Sequence, residues 1–147
     1  MAEHNIVGQI GEETACQMMK KKGFRIAETN WRFGHLEMDI IAISRKEIVF
    51  VEVKTRTSTF GGKQPEEYVD ELKRRRMAAA ANTYIKMHQI ELVPRFDIIG
   101  LLIDPDTHKV VEQTHLEDAF LPPQRTIGKS SFSGQGRWHH RNRVIGR

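Results

Sequence analysis

The stretch LEMDIIAISRKEIVFVEVKTR, residues 36 to 56, decides the fold of this chain. It holds two apolar, β-branched runs, 36–43 and 48–55, separated by the polar residues 44–47. Runs of this composition on either side of a short polar segment are typical of two strands joined by a turn. The sequence therefore predicts a hairpin at the centre of a sheet.

The register of this hairpin places charged residues side by side. If the turn closes a simple antiparallel hairpin, Asp39 faces Glu52 and Glu37 faces Lys54. Because strand side chains alternate with period two, all four are expected on one face.

Two interpretations of these charges are open. Directly opposed like charges are unfavourable, and a hard cation such as Mg²⁺, held by one or two carboxylates, would remove that penalty. In the other interpretation Glu37 and Lys54 form a surface ion pair, and Asp39 and Glu52 are solvated. A slip of one residue would break the alignment.

The motifs along the chain resemble those of a known family. Asp39 and Glu52-Val53-Lys54 form a D-x(12)-E-V-K pattern that resembles the PD-(D/E)XK, restriction-endonuclease-like superfamily. Within it, the chain is similar to the YraN family of small bacterial proteins. The matching segments are Gly11-Glu12-Glu13-Thr14-Ala15, Asn30-Trp31-Arg32, residues 49–56, Lys73 with the arginines after it, and Arg95-Phe96-Asp97.

Periodicity and turn residues predict an α/β fold in the order α-β-β-β-α-β-β. This is a mixed β-sheet flanked by helices, as expected for a restriction-endonuclease-like core. The predicted elements are a helix at 5–22, strands at 24–31, 36–43 and 48–55, a helix from Pro65 to His88, and strands at 93–103 and 108–113.

The resemblance implies roles for particular residues. Asp39, Glu52 and the carbonyl of Val53 take the positions that hold Mg²⁺ or Mn²⁺, and Lys54 takes the position that orients or activates the nucleophile. Glu12 is the implied outer carboxylate, since the helical arrangement turns it, and not Glu13, towards the apolar side of its helix.

A basic cluster in the second helix has two interpretations. It can contact DNA phosphates, or it can be a solvated face that pairs with Asp70 and Glu71. The resemblance favours phosphate contact, by Lys73, Arg74, Arg75 and Arg76 and by Arg56 on the preceding strand. Because four successive residues cover a full helical turn, at least one must lie against the protein body.

Composition divides the 147 residues into a domain, 1–121, and a tail, 122–147. All 19 acidic residues lie in the domain, whose 17 Lys and Arg leave it a net charge of −2, and the tail carries +6. The tail has few apolar groups and no periodicity, which predicts flexibility. It is either an electrostatic tether to nucleic acid or a solubilising terminus.

The setting predicted from the sequence is the cytoplasm. The start of the chain lacks the basic and apolar regions of a signal peptide, and the longest apolar run, 98–103, is too short to span a membrane. The single Cys16 cannot form an internal disulfide, which fits a reducing compartment.

The resemblance implies a Mg²⁺-dependent, structure-selective DNA endonuclease. Likeness to archaeal Holliday-junction resolvases points to branched DNA, an analogy at the level of fold. Such nucleases often act as dimers, so a homodimer is an open alternative to a monomer. Two other functions remain: a non-catalytic nucleic-acid-binding module on a nuclease scaffold, and a cytoplasmic adaptor whose basic tail binds an acidic protein.

Overall fold

The structure is a computed structural model that describes residues 2–57 and 69–121. These residues form helices and strands in the order α-β-β-β-α-β-β, and the predicted mixed α/β fold is confirmed. The predictions for the tail, 122–147, lie outside the described residues. The elements are α1 (Ala2–Lys21), β1 (Arg25–Phe33), β2 (Leu36–Ile43), β3 (Glu47–Arg56), α2 (Glu71–His88), β4 (Val93–Ile103) and β5 (Val110–Leu116).

The five strands form one sheet in the order β1-β2-β3-β4-β5. Neighbouring strands run antiparallel except β3 and β4, which are parallel and are connected through α2. In the central hairpin Ile43 pairs with Ile48 and Ile40 with Val51, so the predicted register is confirmed over these pairs.

The helices pack on opposite faces of the sheet and divide the apolar core into two layers. The layer beneath α2 contains Ile41, Ile48, Phe50, Met77, Tyr84, Phe96 and Ile98. The layer beneath α1 contains Ala15, Met19, Ile40, Val49, Val51, Ile99 and Leu101. Of the helices in the described part of the chain, neither α1 nor α2 combines the length and the apolar character needed to span a membrane.

Helix α2 begins later than the sequence suggests. The predicted start at Pro65 is wrong, because Asp70 has an extended backbone (ψ −177°) and caps a helix that begins at Glu71. The Asp70 side chain accepts a hydrogen bond from the Lys73 N–H at 2.9 Å, as a helix N-cap does. At the other end Gln89 adopts a left-handed conformation (φ 52°) and closes the helix.

A buried ion-pair network fixes the start of β4. Asp97 is fully buried and accepts hydrogen bonds from Arg95 Nε and Nη2 at 2.9 and 2.8 Å and from the Asp118 N–H at 3.0 Å. His115 Nε2 lies 2.7 Å from Asp97 Oδ2, and Lys22 Nζ lies 2.9 Å from His115 Nδ1. Burial acts to raise the pKa of Asp97, but these hydrogen bonds hold it below its usual value. The network thus ties β4 to β5 and to the segment after α1.

Candidate functional site

Asp39 and Glu52 lie on adjacent central strands where the β2–β3 ladder ends. The last paired residues are Ile40 and Val51, so Asp39 and Glu52 are the next residue outward on each strand. Just beyond the last pair, Asp39 Oδ2 accepts a hydrogen bond from the Val53 N–H at 2.8 Å. A side-chain carboxylate therefore takes a backbone donor of the neighbouring strand, which fixes its position relative to Glu52.

The alternation of side chains is broken at Asp39. Met38 packs in the layer beneath α2 and Ile40 in the layer beneath α1, although strict alternation would put both on one face. Asn30, which lies across from Asp39 on β1, adopts a left-handed backbone (φ 51°). At this irregularity, Asp39 lies close enough to both helices for the charges of Glu12 on α1 and Lys73 on α2 to shift its pKa.

Glu37 has an ion-pair partner on β1, and the paired part of the β2–β3 ladder ends before Glu37 and Lys54. Glu37 pairs with Arg32, the residue directly opposite it on β1, with Arg32 Nη2 3.4 Å from Glu37 Oε1. Both side chains are exposed. Asp39 and Glu52 are the inner pair of the predicted four-residue cluster, and the charges of Glu37 and Lys54 act on them from further out.

Both carboxylates of the pair have a raised pKa. Burial, followed by the charge of Asp39, raises the pKa of Glu52 to about 7. Burial also raises the pKa of Asp39, against the effect of the Val53 N–H. Lys73 Nζ lies 3.5 Å from Glu52 Oε1 and lowers both pKa values, but not enough to cancel the shifts. The site has a deficit of positive charge.

Glu12 approaches this pair from α1. Its Oε1 accepts a hydrogen bond from Asn30 Nδ2 at 2.9 Å, and its charge contributes to the raised pKa of Asp39. Glu13, by contrast, is exposed. No role for Asn30 was predicted from the sequence, where its place in the Asn30-Trp31-Arg32 motif was the available signal.

The basic residues at the start of α2 do not form one surface. Lys73 reaches Glu52 in the candidate site. Arg74 packs its guanidinium over the Phe120 ring, 5.3 Å from the centroid, and its Nε donates to the Val69 carbonyl at 3.2 Å. As predicted for a basic run that covers a full turn, part of the cluster lies against the protein body.

The remaining basic residues lie towards solvent or along β3. Arg75 pairs with Glu71 one turn earlier, with Arg75 Nε 3.4 Å from Glu71 Oε2, and Arg76 is exposed. Arg56 and Lys54 line a small cleft of about 20 Å³ on β3, β4 and β5, together with Gly100, Leu101, Leu102, Glu112 and Thr114. Since Lys54 is two residues from Glu52, this cleft begins beside the carboxylate pair.

The donor set fits one kind of metal ion. Among the described residues, no group of three or more His, Cys, Asp or Glu side chains is arranged to hold an ion. Mg²⁺ usually takes one or two protein carboxylates and completes its shell with water and substrate phosphate. Asp39 and Glu52 supply two carboxylates of this kind.

Comparison with known proteins places the chain in a family. The profile of the uncharacterised protein family UPF0102 matches residues 11–101. A UPF0102 protein of Bacteroides thetaiotaomicron is 43% identical over 123 residues, which cover 84% of this chain and 98% of the relative. UPF0102 proteins of Porphyromonas gingivalis and Flavobacterium psychrophilum are 43% and 41% identical, over 82% of this chain and 87% and 98% of their own lengths. The chain therefore belongs to the uncharacterised protein family UPF0102.

Proposed function

We propose that the protein is a metal-dependent DNA endonuclease of the PD-(D/E)XK, YraN type that hydrolyses phosphodiester bonds. The observation that carries the proposal is the pair Asp39 and Glu52, largely buried on adjacent strands, with Lys54 two residues further along β3. The single Cys16 fits a reducing, cytoplasmic setting for this activity.

The electrostatics of the pair favour a divalent ion. Burying two carboxylates is costly unless cations compensate them. The ammonium of Lys73 contacts Glu52, yet the pKa of Glu52 remains raised to about 7. A doubly charged ion compensates the pair better than one ammonium does, because Coulomb energy scales with the charge.

The proposed roles follow from position. Asp39, Glu52 and the carbonyl of Val53 would hold Mg²⁺ or Mn²⁺, and a bound ion would supply positive charge at the phosphodiester and a more acidic water. Lys54 orients that water or stabilises the charge that develops on the phosphate. Glu12, held by Asn30, is an outer carboxylate that acts on Asp39 through its charge.

The DNA backbone is proposed to run along the basic cleft beside the pair. Lys54 and Arg56 line this cleft, and Arg76 is an exposed cation of α2. Phosphate contacts of this kind position a duplex without selecting its sequence, which agrees with a structure-selective enzyme. Branched DNA is the proposed substrate by resemblance to archaeal junction resolvases.

A second candidate function is a non-catalytic nucleic-acid-binding module. One observation favours it: Glu52 already has a cationic partner in Lys73, so this contact alone gives the carboxylate a structural use. In this case the pair would bind no divalent ion, and DNA binding would not depend on Mg²⁺ or Mn²⁺.

A cleavage screen separates the two candidates. Duplex, single-stranded, flap and four-way-junction DNA are incubated with wild type, Glu52→Gln and Lys54→Met, each with Mg²⁺, Mn²⁺ or EDTA. We expect metal-dependent cleavage of at least one branched substrate by wild type, with loss of cleavage but retained DNA binding in both variants. Glu52→Gln should also lose Mn²⁺ binding, which Lys54→Met should keep.

Two outcomes contradict the nuclease proposal. One is cleavage by Glu52→Gln at the wild-type rate, which would indicate a contaminant or another site. The other is DNA binding by wild type without cleavage and without Mn²⁺ binding by calorimetry, which would favour the non-catalytic module.

A further inference from the structure

Lys73 connects helix α2 to the carboxylate pair on the central strands. It lies in the first turn of α2, where its N–H is fixed by the Asp70 cap at 2.9 Å. Its ammonium lies 3.5 Å from Glu52 Oε1, and the side chains of Lys73 and Glu52 are 30% and 10% exposed. The charge of Lys73 also lowers the pKa of Asp39. One ammonium therefore acts on both carboxylates of the pair.

The contact of Lys73 differs from those of the arginines that follow it. Arg74 is held by Phe120 and by the Val69 carbonyl, and Arg75 pairs with Glu71. Lys73, by contrast, contacts a candidate metal ligand, Glu52. In the protein without nucleic acid, this residue, which is predicted to contact phosphate, contacts the carboxylate of Glu52.

An ammonium and a divalent ion on the same carboxylate repel each other because both are cations, so each weakens the binding of the other. Lys73 has a flexible four-carbon stem and a compact, strongly hydrated charge, so it can move from a partly exposed contact into solvent without moving the helix. Since the cap fixes only the backbone of Lys73, departure of the ammonium leaves the start of α2 intact.

We infer that Lys73 is a built-in counter-ion that holds the Asp39–Glu52 pair in the ion-free protein and leaves it when a divalent ion binds. The released ammonium then faces the phosphodiester that the proposed substrate brings to the same site. This inference rests on the proposed function. Binding of the divalent ion by the carboxylate pair and contact of Lys73 with phosphate are then two parts of one exchange.

Removal of Lys73 should strengthen binding of the divalent ion, whereas removal of a residue that supports the metal site would weaken it. Lys73→Met should bind Mn²⁺ about tenfold more tightly than wild type or better, since a competing positive charge within about 4 Å is removed. Arg75→Gln is the matched control: it removes a charge from the same turn of α2, but its partner is Glu71, so its Mn²⁺ affinity should stay within about twofold. Both affinities are measured by isothermal titration calorimetry without DNA.

A second measurement uses unmodified protein and so does not depend on the folding of a variant. Wild type is acylated briefly with an amine-reactive ester, and modification of each lysine is quantified by mass spectrometry. Modification of Lys73 should increase when Mn²⁺ is added, and modification of Lys86, an exposed lysine in the last turn of α2, should not. In Glu52→Gln, Lys73 should already be reactive without the ion.

The outcomes separate this inference from the proposed function. If Mn²⁺ binds wild type but Lys73→Met binds it equally or more weakly, and Lys73 reactivity is unchanged by the ion, the counter-ion role is wrong and the metal site stands. If neither protein binds Mn²⁺, the proposed metal site fails and the exchange fails with it.

Discussion

At the scale of single residues, the central feature is a carboxylate pair that is held together against its own repulsion. The Asp39 carboxylate is fixed by the Val53 N–H, and Glu52 is 7% exposed with a pKa raised to about 7. An ionised Glu52 is therefore unfavourable in the ion-free protein. In the proposed nuclease, function and stability therefore oppose each other at this position, as they often do where a site is arranged for a ligand.

Glu52→Gln should stabilise the ion-free protein, and more so at higher pH. Because the pKa of Glu52 is raised from 4.5 to about 7, the folded state binds more protons than the unfolded state between these values, and stability falls as pH rises through that window. The variant lacks this loss. We expect the free energy of unfolding of the variant to be about 1–3 kcal/mol higher than that of wild type at pH 8 and nearly the same at pH 4.5.

Urea unfolding at the two pH values, in EDTA, measures this effect. Glu71→Gln, which neutralises an exposed glutamate, is the control and should show no comparable dependence. A Glu52→Gln protein that is less stable than wild type at pH 8 would mean that Glu52 serves mainly as the ion-pair partner of Lys73.

Asn30 should act on the site through Glu12. Asn30→Gly removes the 2.9 Å hydrogen bond to Glu12 while glycine keeps the left-handed backbone (φ 51°) without strain. We expect this variant and Glu12→Gln to reduce cleavage by similar factors, and the double variant to be no worse than either. A double-mutant cycle on cleavage rate and on Mn²⁺ affinity tests the coupling, and additive losses would show that Asn30 acts independently of Glu12.

At the scale of elements, the close approach of α1 to β3 positions Glu12. Gly11 is buried against Thr55, and a Cβ at residue 11 would overlap Thr55 Oγ1. The helix can therefore lie this close to the strand only because residue 11 has no side chain. The next residue, Glu12, is thereby brought to the end of the sheet that carries Asp39.

Gly11→Ala should destabilise the protein even though alanine favours helices. The added methyl group must displace Thr55, and such overpacking costs about 1–3 kcal/mol. Gly8→Ala is the matched control in the same helix, since a Cβ there meets nothing within 4 Å, and it should stabilise by up to about 1 kcal/mol. Thermal melting of both, and of Gly11→Ala combined with Thr55→Ala, tests the contact. Equal gains in both single variants would show that α1 is not held at Thr55.

At the scale of the whole molecule, much of the fold could be predicted because local signals decide it. The β-branched runs and the short turn of the central hairpin gave the register that pairs Ile43 with Ile48. The start of α2 was missed because Pro65 is a favourable first residue, whereas capping by Asp70 determines where the helix begins.

The candidate site was predictable only in part. The pairing register brought Asp39 and Glu52 together, but no periodicity contains the break in alternation at Asp39 or the hydrogen bond that its carboxylate accepts from Val53. The place of Lys73 depends on how α2 packs over the sheet, a tertiary contact between residues far apart in sequence. Spacing along the chain carries no information on either.

The stability of the whole fold should depend on the buried Asp97 network, far along the chain from the carboxylate pair. Asp97→Asn removes the buried carboxylate that Arg95 contacts at 2.8 Å and leaves Arg95 with Glu47 and Glu117, and we expect a loss of about 3 kcal/mol at pH 7. Because the pKa of Asp97 is held below 3.8, the stabilisation is present above pH 3.8 and is lost as pH falls through the lower, folded-state value.

Wild type should therefore lose stability steeply in acid, and Asp97→Asn should lose less between pH 5 and pH 2. Urea titrations across this range measure the slopes, with the exposed Asp106→Asn as control. Parallel slopes for wild type and Asp97→Asn would indicate that the network does not account for acid sensitivity.

The hydrogen bond from the Val53 N–H to Asp39 Oδ2 gives the candidate site an internal spectroscopic probe. The amide proton points at one oxygen of the carboxylate, so its chemical shift and its exchange with solvent respond to any change of charge on that group. An ion that coordinates through Oδ1 alone would leave this bond in place and shift the resonance without accelerating exchange. A ¹⁵N-labelled sample titrated with Mg²⁺ would thus reveal, from a single backbone signal, which oxygen the ion takes.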